Sequence, residues 1–176
     1  WVERGGKIVV MGSAISNFAA SDAFEIAKYE SKEKEKEAKS RRDSIRKANQ
    51  LGSYELKERN YLSNLVQGGV YKTTLDHTHP LGYGYKDHYY TLKNNGIRYP
   101  YLKNGYNVSV IEDKSSKVSG FVGKNVMDSM DASLVYGIET KGRGTVVYMV
   151  DDPLFRSFWE NGKLLFSNAI FMVGND

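Results

Sequence analysis

The chain has 176 residues, enough to bury the core of one domain, and its 40% hydrophobic and 26% charged content argues against disorder throughout. It contains no cysteine, which removes disulfides, thiolate nucleophiles and Cys-based zinc sites together. A formal net charge of +4 is too small to argue for nucleic acid by itself, and the longest apolar runs are far too short to cross a bilayer.

The opening residues, Trp1-Val2-Glu3-Arg4-Gly5-Gly6, lack an initiator methionine and read as if cut from a longer protein. Lys7–Met11 is a short apolar run between Gly5-Gly6 and Gly12-Ser13, the pattern of a buried parallel strand. Residues 16–27 are expected to start a helix, with Phe18, Phe24 and Ile26 as packing residues. From 28 to 50 the composition turns almost wholly charged and polar, with acid-before-base pairs four apart at Glu30 and Lys34, Glu35 and Lys39, and Glu37 and Arg41. Each such pair supports a solvated helix by about 0.2–0.5 kcal/mol. A helix over 22–49 would be roughly 40 Å long with little apolar face. This segment reads as a charged helical insertion, with a partner-binding helix as the alternative. Aromatics are not interleaved with its basic residues, which speaks against nucleic acid.

Leu51-Gly52 breaks that segment, and residues 54–66 return to helical spacing with Leu56, Tyr61, Leu62 and Leu65 on one side. Gly68-Gly69 then opens a strand over 70–75, and 80–84 is turn-like. Further strands are expected at 87–93, 106–112, 118–122, 134–139 and 145–150. The short Thr-Lys-Gly-Arg-Gly link at 140–144 predicts an antiparallel hairpin of the last two. After Asp151-Asp152-Pro153, where the two acids suit a helix start, Leu154, Phe155, Phe158 and Trp159 repeat helically as far as Asn161-Gly162. Leu165, Phe166, Ala169, Ile170 and Val173 then form the stripe of a helix packed on a sheet. Truncating Phe166 to Ala is expected to cost about 3–5 kcal/mol if the ring is buried.

Reactive groups are few. His77, His79 and His88 lie close together, and in a strand His77 and His79 would share a face beside Asp76. That arrangement is compatible with a metal, but no third ligand is fixed and Pro80 ends the strand. Structural use is the better fit, Asp76 and His77 orienting a turn through hydrogen bonds and His79 preceding a proline corner, with a metal site or catalysis as the alternatives. Ser13 follows a strand and precedes a helix, as the nucleophile of a strained elbow does, with His79 as base and Asp76 or Asp87 as orienting acid. The second glycine of Gly-x-Ser-x-Gly is missing there. The glycine pairs match neither phosphate-loop pattern, and neither His-Glu-x-x-His nor any other standard hydrolytic zinc set is present. The loops at 12–16 and 77–90, with Gly12, Ser13, His77, His79 and Tyr83, are the candidate ligand loops.

Three stretches carry a resemblance: WVERGGKIVVMGSA at 1–14, GGVYKTTLDHTHPLGYGYKDHYYTLK at 68–93, and GRGTVVYMVDDPLFRSFWENGKLLFSNAIF at 142–171. Together they look like the C-terminal region of bacterial zinc carboxypeptidases of the carboxypeptidase A type, especially those of Bacteroidetes-like bacteria. In such proteins the peptidase domain is followed by a domain similar to class I glutamine amidotransferases. The resemblance implies an α/β fold with a flavodoxin-like layered sheet over 1–176, interrupted by the insertion at 28–50. It also implies that the first βα units, the zinc ligands and the catalytic glutamate precede Trp1. An active amidotransferase would carry a cysteine near the position of Ser13, and none is present.

The expected function is therefore that of a non-catalytic accessory domain of a secreted or periplasmic zinc metallocarboxypeptidase. Such a domain holds no cofactor, the zinc belonging to the peptidase domain that is its first partner. A sheet missing its first units would expose an edge, inviting completion by a partner or a homo-oligomer. Two alternatives stand beside this: a serine hydrolase or amidotransferase relative using Ser13, and a module that binds an acidic polymer through the basic segment.

Overall fold

The computed structural model describes residues 1–27, 43–44, 46–47 and 50–173. The charged helical insertion expected at 28–50, with its acid–base pairs, falls almost wholly outside them. Seven strands form one mixed sheet: β1 (Lys7–Met11), β2 (Val66–Leu75), β3 (His88–Lys93), β4 (Tyr106–Ile111), β5 (Lys117–Val122), β6 (Ser133–Lys141) and β7 (Gly144–Met149). Their order is β1-β7-β6-β4-β2-β3, with β5 also on β2. Only β1 and β7 run parallel; the other pairings are antiparallel. The architecture is α/β, with an open mixed sheet and a few helices.

Strand β7 shows how the sheet is covered on both faces. In β7, Val147 and Met149 enter one core cluster, while Val146 and Tyr148 enter the other. A strand buried on both sides must be apolar at every position, and the run at 146–149 is. The β6–β7 hairpin forms as the sequence predicts. Lys141 pairs with Gly144 across a two-residue loop, and Gly142 takes a φ of +62° that other residues rarely adopt.

The first cluster lies beneath the C-terminal helix, whose Leu165 and Ala169 are fully buried among Tyr71, Tyr89, Tyr136 and Met149. The second gathers Val10, Ile15, Ile26, Tyr99 and Leu102 on the opposite face. Helices are fewer than the sequence predicts. Over 16–27 there is one helical turn, α1 (Ile15–Phe18), and then turns, although Phe18 and Phe24 do pack, with ring centroids 4.7 Å apart. The helix α2 (Tyr54–Asn64) forms, but Leu56, Tyr61 and Leu62 are exposed and only Leu65 of the expected stripe is half-buried, so most of that face is open among the described residues. A further turn, α3 (Lys124–Met127), follows β5.

The C-terminal end departs most from expectation. A 3-10 turn at Phe155–Ser157, with Arg156 and Ser157 at positive φ, replaces the first helix. The helix α4 (Glu160–Phe171) then runs through Gly162 instead of stopping there. A Cβ on Gly162 would lie 2.1 Å from the Pro153 carbonyl oxygen, so glycine serves close packing rather than helix termination. Phe166 is only half-buried, whereas Leu165 is the fully covered residue of the stripe. Lys7 reaches across from β1 to the carbonyls of Ile170 (2.5 Å) and Val173 (2.8 Å), a cation placed at the negative end of α4.

Candidate functional site

The residues singled out in the sequence are dispersed. Ser13 sits exposed in a 3-10 turn at Gly12–Ala14 directly after β1, and its carbonyl accepts the Ser16 hydroxyl at 2.7 Å. No described histidine or carboxylate hydrogen-bonds its hydroxyl. His77 is exposed. Asp76 folds onto its own loop, accepting the Thr78 hydroxyl (2.6 Å) and amide (2.9 Å), and these bonds hold its carboxyl below the usual range. His79 is half-buried against Tyr106, and its Nδ1 accepts the Leu81 amide at 3.1 Å, capping the turn at Pro80–Gly82. Burial lowers its pKa, partly offset by Asp76, so the neutral ring needed for that bond is favoured. Among the described residues, no three His, Asp or Glu side chains form a metal-ligating group.

The acid that does orient a histidine is Asp87. Its Oδ1 lies 2.7 Å from His88 Nδ1, and this bond is the main reason its carboxyl is held below the usual range. With Nδ1 engaged, Nε2 is the nitrogen of His88 left for a ligand. His88 lines a groove of about 370 Å³ together with Gly84, Tyr85, Lys86, Tyr90, Glu160, Asn161 and Leu164. One wall is therefore the end of the 77–90 loop and the start of β3; the other is the first turns of α4.

Side chains pin these walls together. The Tyr85 hydroxyl donates to the Asn161 carbonyl (2.7 Å) and accepts the Leu165 amide (3.1 Å). These are the two groups that would bond each other in an uninterrupted helix, so Tyr85 is spliced into the first turn of α4. Asn161 Nδ2 donates to the Tyr90 carbonyl at 2.9 Å, and Trp159 Nε1 is shared between that carbonyl and the Tyr89 hydroxyl, each at 3.2 Å. Asn168 donates to the carbonyls of Leu81 and Tyr83, which ties down the loop's near side and leaves the Tyr83 ring exposed. The groove thus presents a lysine, an oriented histidine, a carboxylate and tyrosine faces on a rigid frame. That is equipment for holding a polar, extended ligand, and no described nucleophile stands within hydrogen-bond reach of His88.

Beneath the groove, Lys93 Nζ meets Asp151 Oδ1 at 2.7 Å, and Thr91 donates to Asp151 Oδ2 at 2.8 Å. Lys93 also donates to the Ile97 carbonyl at 3.1 Å. Three strands separate β3 from β7 in the sheet order, yet the side chains of Thr91 and Lys93 reach Asp151, just past the end of β7. Sequence reasoning read Asp151 as part of a helix start and missed the pair; of the groove it named one wall, the 77–90 loop, and missed the wall that α4 supplies. Their members lie 58 and about 70 residues apart in sequence, and no local spacing encodes them. Compared with known proteins, the chain matches no family model, no curated protein and no solved structure.

Proposed function

We propose that the chain is a non-catalytic accessory domain of a secreted or periplasmic zinc metallocarboxypeptidase, acting by holding peptide or envelope material in the groove between the 77–90 loop and α4. The resemblance over 1–14, 68–93 and 142–171 supplies the parent activity, and with it a peptidase domain that carries the zinc. The flavodoxin-like, amidotransferase-like form of the sheet belongs to the same proposal; the parallel β1–β7 pair and the turn after β1 are compatible with it. The observation that carries the reading is the use of the candidate reactive groups. Asp76 and His79 hold turns, and among the described residues no base hydrogen-bonds the Ser13 hydroxyl. Commitment of these groups to turns supports a binding role over a catalytic one.

The experiment pairs a negative and a positive measurement. The purified chain should take up no stoichiometric zinc and release no residue from the C-terminus of peptides. An unstructured peptide should change the fluorescence of Trp159, which borders the groove, in a saturable way. Tyr90→Ala should weaken that response, while Ser13→Ala should leave it unchanged. Chelator-sensitive peptide hydrolysis by the chain alone would overturn the proposal, as would a peptide response indifferent to Tyr90.

A further inference from the structure

The strands at the two ends of the path β1-β7-β6-β4-β2-β3 are treated differently; β5, which pairs only with β2, lies off that path. On β3, the Tyr90 carbonyl is occupied by the side chains of Trp159 and Asn161, which blocks strand addition at that edge. On β1, no described residue hydrogen-bonds the outward groups. The Thr145 amide donates to the Gly6 carbonyl, so the parallel ladder uses the backbone of Gly6, Ile8 and Val10. The amides and carbonyls of Lys7, Val9 and Met11 therefore point away from the sheet.

The side chains of β1 also suit an inner strand better than an edge. Ile8 and Val10 belong to one core cluster and Val9 to the other, yet only Val10 is fully buried, and Met11 is 37% exposed. Apolar residues on both faces are the mark of a strand with neighbours on both sides. Trp1 adds a second sign. Its ring occupies the space where a Cβ on Gly6 would stand, at the start of the open strand, and it remains 71% exposed.

We infer that β1 pairs antiparallel with β1 of a second copy, about a two-fold axis through Val9. This register alone matches every outward group of one strand with one on the other, with Val9 against Val9 and Lys7 against Met11 on both sides of the axis. A register centred on Lys7 would oppose two ammonium groups, whereas here each lysine faces a thioether. Ile8 of one copy meets Val10 of the other, a β-branched pair of the kind that stabilises sheets. Gly6 falls opposite Gly12, where a Cβ would find nothing within 4 Å, leaving room for the Trp1 ring to be covered. The two seven-stranded sheets become one continuous sheet.

The test uses the full 176-residue chain, read by sedimentation equilibrium from micromolar to millimolar concentration and by amide hydrogen exchange. The chain should dimerise, with the Val9 amide gaining protection as the dimer fills. Met11→Lys sets a second ammonium beside Lys7 of the other copy and should raise the dimer dissociation constant by about tenfold or more. Met11→Glu at the same exposed position faces Lys7 favourably and should leave the constant unchanged or lower it. Equal circular dichroism of the two variants guards against loss of fold. A chain that stays monomeric to millimolar concentration overturns the inference, as does a dimer that ignores Met11→Lys or leaves the Val9 amide unprotected.

Discussion

Lys93 and Asp151 are 1% and 3% exposed at their side chains, and each is satisfied by a second partner, Ile97 or Thr91. Removing one member strands the other charge in the core. Lys93→Met should therefore lower stability by about 3–5 kcal/mol, and adding Asp151→Leu should recover most of that loss. Urea unfolding of the two single variants and the double variant measures the coupling. Among the histidines, His79 accepts a backbone amide through Nδ1, which requires the neutral ring. Its pKa lies below the ordinary 6.5, so its contribution to stability is complete above 6.5 and is lost as pH falls towards the lowered value. His79→Asn keeps an acceptor for the Leu81 amide and should remove that acid-sensitive step in unfolding experiments run between pH 7 and about 5. A variant that unfolds with the same pH dependence as the parent would show that the step belongs elsewhere. The sequence revealed that His79 stands at a proline corner; it could not reveal that the acid-held histidine is His88.

The elements that periodicity marked clearly are those whose partners lie nearby in sequence. The β6–β7 hairpin is fixed by its glycine turn, and β2 and β3 by alternation of buried and exposed residues. Helix α2 kept its period but not its burial, because a stripe of Leu56, Tyr61 and Leu62 specifies a face without specifying what covers it. Around Gly162 the local rule failed outright, since a breaker in sequence proved to be a contact in space. Intrinsic propensity favours alanine over glycine in a helix by about 1 kcal/mol, but a methyl at 2.1 Å from the Pro153 oxygen demands backbone movement. The clash wins, so Gly162→Ala should destabilise by about 1–3 kcal/mol. A stabilised variant in thermal unfolding would mean that the loop at 153 yields freely. Half-burial of Phe166 revises the sequence estimate in the same way: Leu165→Ala, at about 2–5 kcal/mol, should now be the costlier truncation of the α4 stripe.

At the scale of the whole molecule, the two core clusters on either side of the sheet bury four phenols completely or nearly so. Tyr71, Tyr89, Tyr136 and Tyr148 are all at most 1% exposed, and burial is the main cause that raises each pKa. The value for Tyr71 is pushed up to about 12, with Asp151 adding to the effect. Among the described residues its hydroxyl has no hydrogen-bond partner, so none of them compensates an ionised oxygen there. Tyr148 is raised by burial first and then by Glu139, whose carboxylate accepts its hydroxyl at 2.6 Å. The sign follows from proton counting. Below the ordinary value of 10.0, folded and unfolded chains both keep these protons, and stability is unaffected. Above it the unfolded chain releases them while the folded core does not, so unfolding gains free energy with each further rise in pH. Stability should therefore fall steeply from pH 10 upward. Tyrosinate absorbance from these four residues should then appear together with the loss of far-ultraviolet circular dichroism, in one transition. Tyr71→Phe removes the phenol with no partner among the described residues and should shift that transition to higher pH. Phenols that titrate near 10 while the circular dichroism stays native would place them at the surface and refute their burial in the two clusters.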